Sequence, residues 1–455
     1  MRAAPVTFLV LLTLQLASTE SPAQPRRLVP VGDYHTHLLS ESAAKLLWVP
    51  TLPAVELPAE IDQVIRQWER ATKAGDPSSL TALFTADGLL GDASGWVRGS
   101  EAIRAAAINF NLDDLRVRAH GYSVADTIAT VAGSVTDLTS NPARDVANVI
   151  FTLRRGGSGR WLIGTFLRGN RSTPWGGSAL TADRLIKQLD SAGIKRAIVL
   201  SEAYWFGSAL MPGVDSSLSI ADEHAKVRAE NDWVAEQVAK YPSRLVAFCS
   251  VNPLKSYAVD EIERCGTNPA FRGLKLHLAN SEVDLRSPDH VARLARVFRT
   301  ANQHRLPIVA HIRPRRQPYG REDAEIMLRE VLPEAPDVPI QIAHFAGWGG
   351  YDDATDQAAE AFADAVARRD PATRNLYFDI ATIVFPGTAI ERRQQIAQRI
   401  RQLGLKRVVF GSDLSDPGGS ARWYWEQVLQ LIPLTKGELA TIASNVTPYL
   451  SATRR

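Results

Sequence analysis

Short apolar runs alternate with longer amphipathic segments from Leu180 to the C-terminal end of the sequence. The runs at 197–200 and 408–410 are apolar at every position, which is typical of strands that are buried on both faces of a parallel sheet. The segments between the runs have the apolar spacing of helices. This alternation predicts consecutive strand–helix units around a parallel sheet.

Eight strands are predicted once the run that ends at His37 is included. They lie at 31–37, 196–200, 245–251, 271–277, 307–311, 339–344, 376–380 and 407–410. Eight strand–helix units in this order predict an α/β fold, the (β/α)8 TIM barrel. Residues 29–57 are then barrel strand one and a linker, and residues 178–452 are the remainder of the barrel.

The stretch after strand one has a different pattern. A helix is predicted over 61–74, a second helix is capped by Ser78 and Ser79 and reaches residue 84, and strand-like segments follow from 115 to 166. Helices followed by antiparallel strands indicate an α+β domain. A glycine cluster at 156–159 lies between two strands and no helix follows it, so we interpret it as a hairpin turn and not as a phosphate-binding loop. We therefore predict an inserted domain over residues 58–170, at the active-site end of the barrel.

The inserted domain resembles the cone-shaped NTF2-like, or SnoaL-like, fold. The matching features are the helix at 61–74, the run 80–88, the segment 96–99 with Ala102 and Ile103, and the closing strand Trp161-Leu162-Ile163. The resemblance implies that the domain holds a small apolar ligand or forms dimers. A homodimer through the inserted domain is therefore one expected arrangement.

The N-terminal segment has the pattern of a secretory signal peptide. Arg2 is followed by an apolar run at 6–17, which is too short to span a bilayer, and Ser21-Pro22-Ala23 is a plausible cleavage site. We expect residues 1–23 to be removed and the mature protein to be exported, periplasmic or secreted, without a membrane anchor.

Export permits a disulfide between the two cysteines, Cys249 and Cys265, but a buried free thiol in the strand around Cys249 is an equal alternative.

The formal net charge of +3 is small and is spread evenly over the 455 residues. Nucleic acids and anionic membranes bind proteins through large basic surfaces, so neither is an expected partner. A small-molecule substrate is expected instead.

Histidines and one aspartate stand at the ends of the predicted strands. They are His35 and His37 on strand one, His277 on strand four, His311 on strand five, His344 on strand six and Asp413 after strand eight. Catalytic groups of TIM barrels lie at these carboxyl ends. His35 and His37 are two residues apart and point to the same face of their strand. Converging imidazoles and a carboxylate predict a divalent metal centre, with zinc favoured by the nitrogen-rich ligands.

Five motifs resemble the amidohydrolase superfamily, in particular its amidohydrolase-related branch, amidohydrolase family 2. They are Asp33-Tyr34-His35-Thr36-His37, Gly273-Leu274-Lys275-Leu276-His277, Val309-Ala310-His311, Ile342-Ala343-His344-Phe345-Ala346-Gly347 and Phe410-Gly411-Ser412-Asp413. The resemblance covers residues 29–39 and about 178–450. It implies that His35, His37, His311 and Asp413 hold one metal ion. It also implies that His344 orients or polarises the water or substrate oxygen, and that Asp413 is the general base.

Lys275 leaves the number of metal ions open. Some superfamily members carboxylate a lysine at this position, and Lys275 would then hold a second metal together with His311 and His344. An unmodified lysine stays a cation, which would bind a substrate carboxylate or pair with Asp33. One metal ion per chain is favoured over two, and His277 is expected to face the substrate.

Side chains in the loops after the strands are candidate substrate contacts. Arg313, Arg315 and Arg316 could hold an anionic group or form a solvated charge run. The aromatic residues at 204–206, 348 and 351 could line a pocket or pack against the inserted domain.

Three functions are compatible with these residues. The first is a metal-dependent hydrolase that cleaves a C–N or C–O bond, as in an amide or a lactone, with a metal-activated water. The alternative is a metal-dependent non-oxidative decarboxylase of an aromatic or enoic acid, since the same branch contains both with similar ligands. The third is a non-catalytic ligand-binding protein, and the intact ligand set argues against it.

Overall fold

The computed structural model describes residues 28–46, 52–92, 95–106, 114–138, 144–170, 179–211, 213–414 and 420–451. The expected signal peptide, residues 1–23, lies outside the described residues. Within these ranges, no helix combines the length and the apolar character that crossing a bilayer requires.

The first elements are strand β1, Gly32–His37, and helix α1, Glu41–Leu46. Every residue of β1 is buried, as expected for the first strand of a barrel. The helix corrects the sequence analysis, which placed only a linker here. Ala43, Ala44 and Leu46 are buried on α1, so packing of this small apolar face stabilises a helix that the composition alone does not indicate.

A six-stranded sheet and three helices follow. The helices are α2 Ala59–Lys73, α3 Pro77–Thr81 and α4 Ser100–Ala106, and the strands are β2 Phe84–Asp92, β3 Gly95–Arg98, β4 Leu115–Ala125, β5 Ile128–Asp137, β6 Arg144–Arg155 and β7 Trp161–Asn170. The strand order is β3-β2-β7-β6-β5-β4, with β2 and β7 parallel and the other pairs antiparallel. The glycine cluster is the turn between β6 and β7, so the hairpin prediction is confirmed.

Aromatic packing holds α2 against this sheet. Trp68 is fully buried, with its ring 5.3 Å from that of Phe151 and 5.1 Å from that of Phe166.

The predicted cap of α3 is wrong: Asp76, not Ser78 or Ser79, accepts hydrogen bonds from the free backbone amides of the first turn. Asp76 is the stronger cap because it precedes Pro77, whose fixed φ suits the first helical position.

Seven further strands complete an eight-stranded parallel sheet. They are β8 Arg196–Leu200, β9 Leu245–Ser250, β10 Phe271–His277, β11 Ile308–His311, β12 Ile340–Ile342, β13 Leu376–Asp379 and β14 Val408–Val409. The helices that follow the insertion are α5 Ala182–Ala192, α6 Ile220–Ala239, α7 Ala258–Thr267, α8 Pro288–Gln303, α9 Arg321–Ile326, α10 Asp353–Ala367, α11 Ile390–Leu403, α12 Ala421–Leu431, α13 Lys436–Ser444 and α14 Pro448–Ser451. A π-helical turn, Met327–Val331, continues α9.

The order of this sheet is β1-β8-β9-β10-β11-β12-β13-β14. Three backbone hydrogen bonds join its two ends: Tyr34 N to Phe410 O at 2.9 Å, Asp413 N to His35 O at 2.7 Å and His37 N to Leu414 O at 2.8 Å. The sheet is therefore a nearly closed parallel barrel, as the strand count predicted.

The barrel has an apolar interior and an outer layer between strands and helices. Inside lie residues such as Ile198, Phe248 and Val409, together with Tyr449 and Leu450 from the C-terminal helix α14. In the outer layer the two cysteines are paired, with a Cα–Cα distance of 6.5 Å between Cys249 and Cys265. Since this interior is filled, the free space of the barrel lies at its carboxyl end.

Candidate metal centre

Three predicted ligands converge at the carboxyl end of the barrel. Asp413 Oδ1 lies 3.4 Å from His35 Nε2 and 3.2 Å from His37 Nε2. Both histidine side chains are almost completely buried, and the carboxylate is partly open. Two ligands of one zinc ion, each bound at about 2.0–2.1 Å in a tetrahedron, lie roughly 3.4 Å apart. The separation of the three atoms therefore fits a single small divalent cation.

Hydrogen bonds on the far side of each ring fix the direction of its free lone pair. His35 Nδ1 donates to Asp379 Oδ2 at 3.0 Å, and His37 Nδ1 donates to Glu202 at 2.6 Å, because a carboxylate can only accept. Each Nε2 is then an acceptor that faces the Asp413 oxygen, which is also an acceptor. Acceptors this close require a cation or a proton between them, and neutral imidazoles oriented by carboxylates are the usual metal ligands.

His311 lines the same cavity but does not belong to this triad. Its side chain is buried, and neither ring nitrogen has a hydrogen-bond partner in the part of the chain that the structure describes. Its ring stacks on that of His277, with centroids 4.0 Å apart and planes within 11°. A buried imidazole without a partner is costly unless it binds a ligand. The unsatisfied nitrogens of His311 therefore fit a role as a further metal ligand.

His344 is held in the same region by its backbone and its ring. Nδ1 lies 3.0 Å from Ala381 O, which can only accept, so Nε2 carries the free lone pair. His344, Phe345 and Ala346 have φ values of 51°, 55° and 68°, a left-handed turn that costs about 1–2 kcal/mol per residue. His344 N donates to Asp379 Oδ1 at 2.9 Å, and this bond helps to hold the turn. The ring centroid of His344 lies 4.7 Å from that of His35.

Lys275 is fully buried beside the triad, with Nζ 3.2 Å from His35 Nε2. Its alternative partner in the sequence analysis, Asp33, instead accepts from Ser412 N at 3.0 Å and His35 N at 3.2 Å. Burial lowers the pKa of Lys275. A buried amine at this position is close enough to take part in the centre, either as a hydrogen-bond donor or after modification.

The surroundings set the protonation of the predicted ligands. Burial lowers the pKa of His35 and of His311 well below the usual value. Burial also lowers the pKa of His37, but Glu202 and Asp413 outweigh it and raise the pKa to about 9. Burial opposes ionisation of Asp413, yet the neighbouring histidines hold its pKa well below the usual range. Asp413 is therefore a carboxylate, and a proton on His37 competes with a metal ion.

A cavity of about 480 Å³ opens above these groups. Besides the site residues, its walls include Tyr204, Trp205, Asn280, Trp348 and Phe385. Tyr204, Trp205 and Trp348 thus lie where the sequence analysis placed a pocket. Tyr351 does not line this cavity but is buried, with its hydroxyl bonded to Asp356 at 2.9 Å, so its role is in packing.

The three arginines after β11 have different partners. Arg313 forms a bidentate pair with Asp352 at 2.9 and 2.8 Å, and Arg316 pairs with Asp284 at 3.3 Å. Arg313 and Arg316 are thus paired with carboxylates of the protein, which makes both of them poor candidates for binding a substrate anion. Arg315 instead lies over the ring of Trp348, at 5.0 Å from its centroid.

Sequence reasoning missed Glu202 and Asp379. Asp379 is completely buried and accepts hydrogen bonds from His35, from Gln341 Nε2 at 2.6 Å and from the amides of residues 344 and 381. Glu202 stands two residues after strand β8, and Asp379 is the last residue of strand β13. The criterion that identified the histidines, a polar residue at a strand end, would therefore have found them.

A model of the amidohydrolase family matches residues 209–444, more than half of the chain. No curated protein matches the sequence significantly. Among solved structures, 5-carboxyvanillate decarboxylase from Sphingomonas paucimobilis is 16% identical, with 57% of this chain and 79% of that chain covered and a TM-score of 0.39. A 2,6-dihydroxybenzoate decarboxylase is also 16% identical, with 58% and 85% covered and a TM-score of 0.38.

The N-terminal half has its own similarities. An NTF2-like protein with a cystatin-like fold from Novosphingobium aromaticivorans is 20% identical, with 25% of this chain and 80% of that chain covered and a TM-score of 0.21. At these identities and scores, the solved structures transfer no activity to this chain. The extent of the family match is decisive: the chain belongs to the amidohydrolase family.

Proposed function

We propose that the protein is a metal-dependent hydrolase that cleaves a C–N or C–O bond of a small organic molecule, such as an amide or a lactone. The observation that carries this proposal is the convergence of His35 Nε2, His37 Nε2 and Asp413 Oδ1 at the base of an open cavity. A divalent cation, most simply zinc, would be held by these groups with His311, and when bound it would activate water and polarise a carbonyl.

The side chains of the protein supply the remaining functions. Asp413 is an ionised carboxylate at the cavity floor, where its oxygen can accept a proton from water and return it to a leaving group. Nδ1 of His344 faces Ala381 O, which leaves Nε2 to form a hydrogen bond with the same water. Glu202 and Asp379 keep the two imidazoles in the metal-binding tautomer.

A second candidate is a metal-dependent decarboxylase of a planar acid. The flat side chains of Trp348 and Phe385, which line the cavity and are only partly buried, favour it. Such a reaction uses the same ligands but no attacking water. The fate of water oxygen therefore separates the two candidates.

The decisive experiment combines metal content with isotope labelling. Elemental mass spectrometry on protein purified without chelators should give about one metal ion per chain, whereas His35→Ala should lose it. His224→Ala is the matched control, since His224 contacts Glu261 on α7 and lies outside the centre. In ¹⁸O-labelled water the hydrolase product gains the label, and release of carbon dioxide instead establishes the decarboxylase.

Two other outcomes are informative about the centre itself. A content near two would assign Lys275, in carboxylated form, to a second metal with His311 and His344. Absence of bound metal after zinc is added would refute the proposal.

We further propose that residues 1–23 direct export to the periplasm or the medium. The pairing of Cys249 with Cys265 supports an oxidising compartment.

We also propose that residues 58–170 form a domain that can pair two chains. Ile128 and Ile150, exposed on its sheet, support such contacts. Light scattering of the purified protein tests the dimer.

A further inference from the structure

Arg315 occupies a distinctive position at the cavity rim. It is exposed, and among the described residues no carboxylate lies within ion-pair distance of it, whereas Arg313 and Arg316 each have one. Its guanidinium lies 5.0 Å from the Trp348 ring centroid, and its NH2 group donates to Asn280 Oδ1 at 3.2 Å. Trp348 and Asn280 both line the cavity. The cation is therefore held toward the cavity by neutral groups.

The loop that carries Trp348 is also fixed. Gly349 and Gly350, which follow it, have φ values of 80° and 75°, a conformation that favours glycine. Gly350 N donates to Thr382 O at 2.6 Å, on the loop that follows β13. The indole is thereby held between the rim and the metal centre, with its ring 5.6 Å from that of His311 and nearly perpendicular to it.

These contacts set an upper limit on the distance between the cation and His311. The guanidinium can lie no farther from the His311 ring than its distance to the indole plus the distance from the indole to that ring. A substrate of one or two fused rings is short enough to fit within this limit. The flat faces of Trp348 and Phe385 offer stacking surfaces for such rings.

We propose that Arg315, stacked on Trp348, binds the carboxylate of a planar unsaturated substrate whose reacting group lies at the metal centre. This substrate class rests on the proposed function. A guanidinium matches a carboxylate with two parallel hydrogen bonds, and stacking on the indole orients it before the substrate arrives. One positive charge also matches the single negative charge of a carboxylate. Arg315 is in this way a specificity-determining residue.

The test is a binding measurement, so that it does not depend on turnover. The probes are 2-naphthoate and its neutral analogue 2-naphthamide, titrated calorimetrically into zinc-loaded full-length protein. We expect naphthoate to bind at least about tenfold more tightly, as charged hydrogen bonds would give. Arg315→Gln should remove most of this preference while the affinity for naphthamide stays unchanged.

Arg316→Gln is the matched control, because it removes a neighbouring charge whose partner is Asp284, and it should keep the preference. Arg315→Lys, which retains the charge without the planar fork, should keep only part of it.

Three results would overturn the inference. They are equal binding of the two probes, no measurable binding of either, and a preference that survives in Arg315→Gln, which would place the carboxylate on the metal or on Lys275. If the preference depends on Arg315 but labelled water never enters a product, the hydrolase proposal fails and the carboxylate site stands.

Discussion

The contact between Glu202 and His37 gives a prediction that separates charge from geometry. Glu202 lies 2.6 Å from His37 Nδ1, and the side chains of both residues are no more than 5% exposed. Glu202→Gln keeps the size of the side chain and an oxygen that can accept the same hydrogen bond, but it removes the negative charge. Any change in metal affinity then reports the charge alone.

The expected magnitude depends on pH because two effects oppose each other. Loss of a carboxylate behind a metal-bound histidine typically weakens metal binding 10–100-fold, about 1.4–2.7 kcal/mol. The same carboxylate, with Asp413, raises the pKa of His37 to about 9, so a proton must leave when metal binds at pH 7. That competition costs roughly a hundredfold at pH 7 and vanishes above pH 9. In Glu202→Gln the carboxylate no longer raises the pKa of His37, so proton competition weakens metal binding less in this variant than in the wild type.

We therefore expect the wild-type zinc affinity to rise by about tenfold per pH unit until pH 9. The deficit of Glu202→Gln should be largest above pH 9 and should shrink or disappear near pH 7. Competition with a chromophoric chelator at pH 7 and pH 9.5 measures both values.

Glu69→Gln is the matched control for Glu202→Gln. Glu69 is a buried carboxylate of the inserted domain that accepts a hydrogen bond from Val117 N at 2.6 Å and contacts no site histidine, so its substitution should leave both affinities unchanged. A variant at Glu202 with wild-type affinity at both pH values, or with the same loss at both, would refute the reasoning.

Three further changes test other parts of the structure. Asp413→Asn removes the carboxylate from the centre, and we expect turnover to fall by about 10²–10⁴-fold in steady-state kinetics. Phe151→Ala removes a ring that packs on the α2 tryptophan, and calorimetry should show about 3–5 kcal/mol less stability in the inserted domain with unchanged zinc content. Arg313 overcomes the effect of burial and lowers the pKa of Asp352 to about 2. This lowered pKa stabilises the fold above pH 4 and the benefit is lost as the pH falls toward 2. Asp352→Asn should cost roughly 1 kcal/mol at pH 7 and only a small part of that at pH 2 in urea unfolding.

For each of these three predictions, one result would contradict the reasoning. Full turnover in Asp413→Asn would exclude Asp413 from the chemistry. Loss of zinc in Phe151→Ala would mean that the inserted domain and the metal centre unfold together. A constant cost for Asp352→Asn from pH 7 to pH 2 would show that its effect is not electrostatic.

The barrel could be predicted because its strands carry two signals at once. Runs such as 197–200 are apolar throughout, and the runs at β1, β11 and β14 lead directly into His37, His311 or Asp413. The shortest elements had no such signal. Helix α1 is six residues long and depends on packing against the rest of the barrel, which local sequence does not reveal.

The convergence of His35, His37 and Asp413 could be predicted from the sequence, whereas the partners of the loop arginines could not. Whether Arg313, Arg315 or Arg316 is available depends on Asp352 and Asp284, which come from other loops. No local pattern specifies such pairs. Glu202 and Asp379, the carboxylates behind the histidines, stand at strand ends like the predicted ligands. They were missed because the search was for metal ligands, and these carboxylates act through another side chain.

The seam between the two ends of the barrel has a consequence for folding. Strand β1 is synthesised early, but its neighbours are β8 and the segment 410–414, which emerge only after the inserted domain and nearly the whole barrel, respectively. Pairings so distant in sequence form slowly, whereas the inserted sheet pairs locally and can form first. His35 and Asp413 meet only when the last strand docks. Acquisition of the metal is therefore expected to be the final event of folding, and a chain that stops before β14 would not complete the centre.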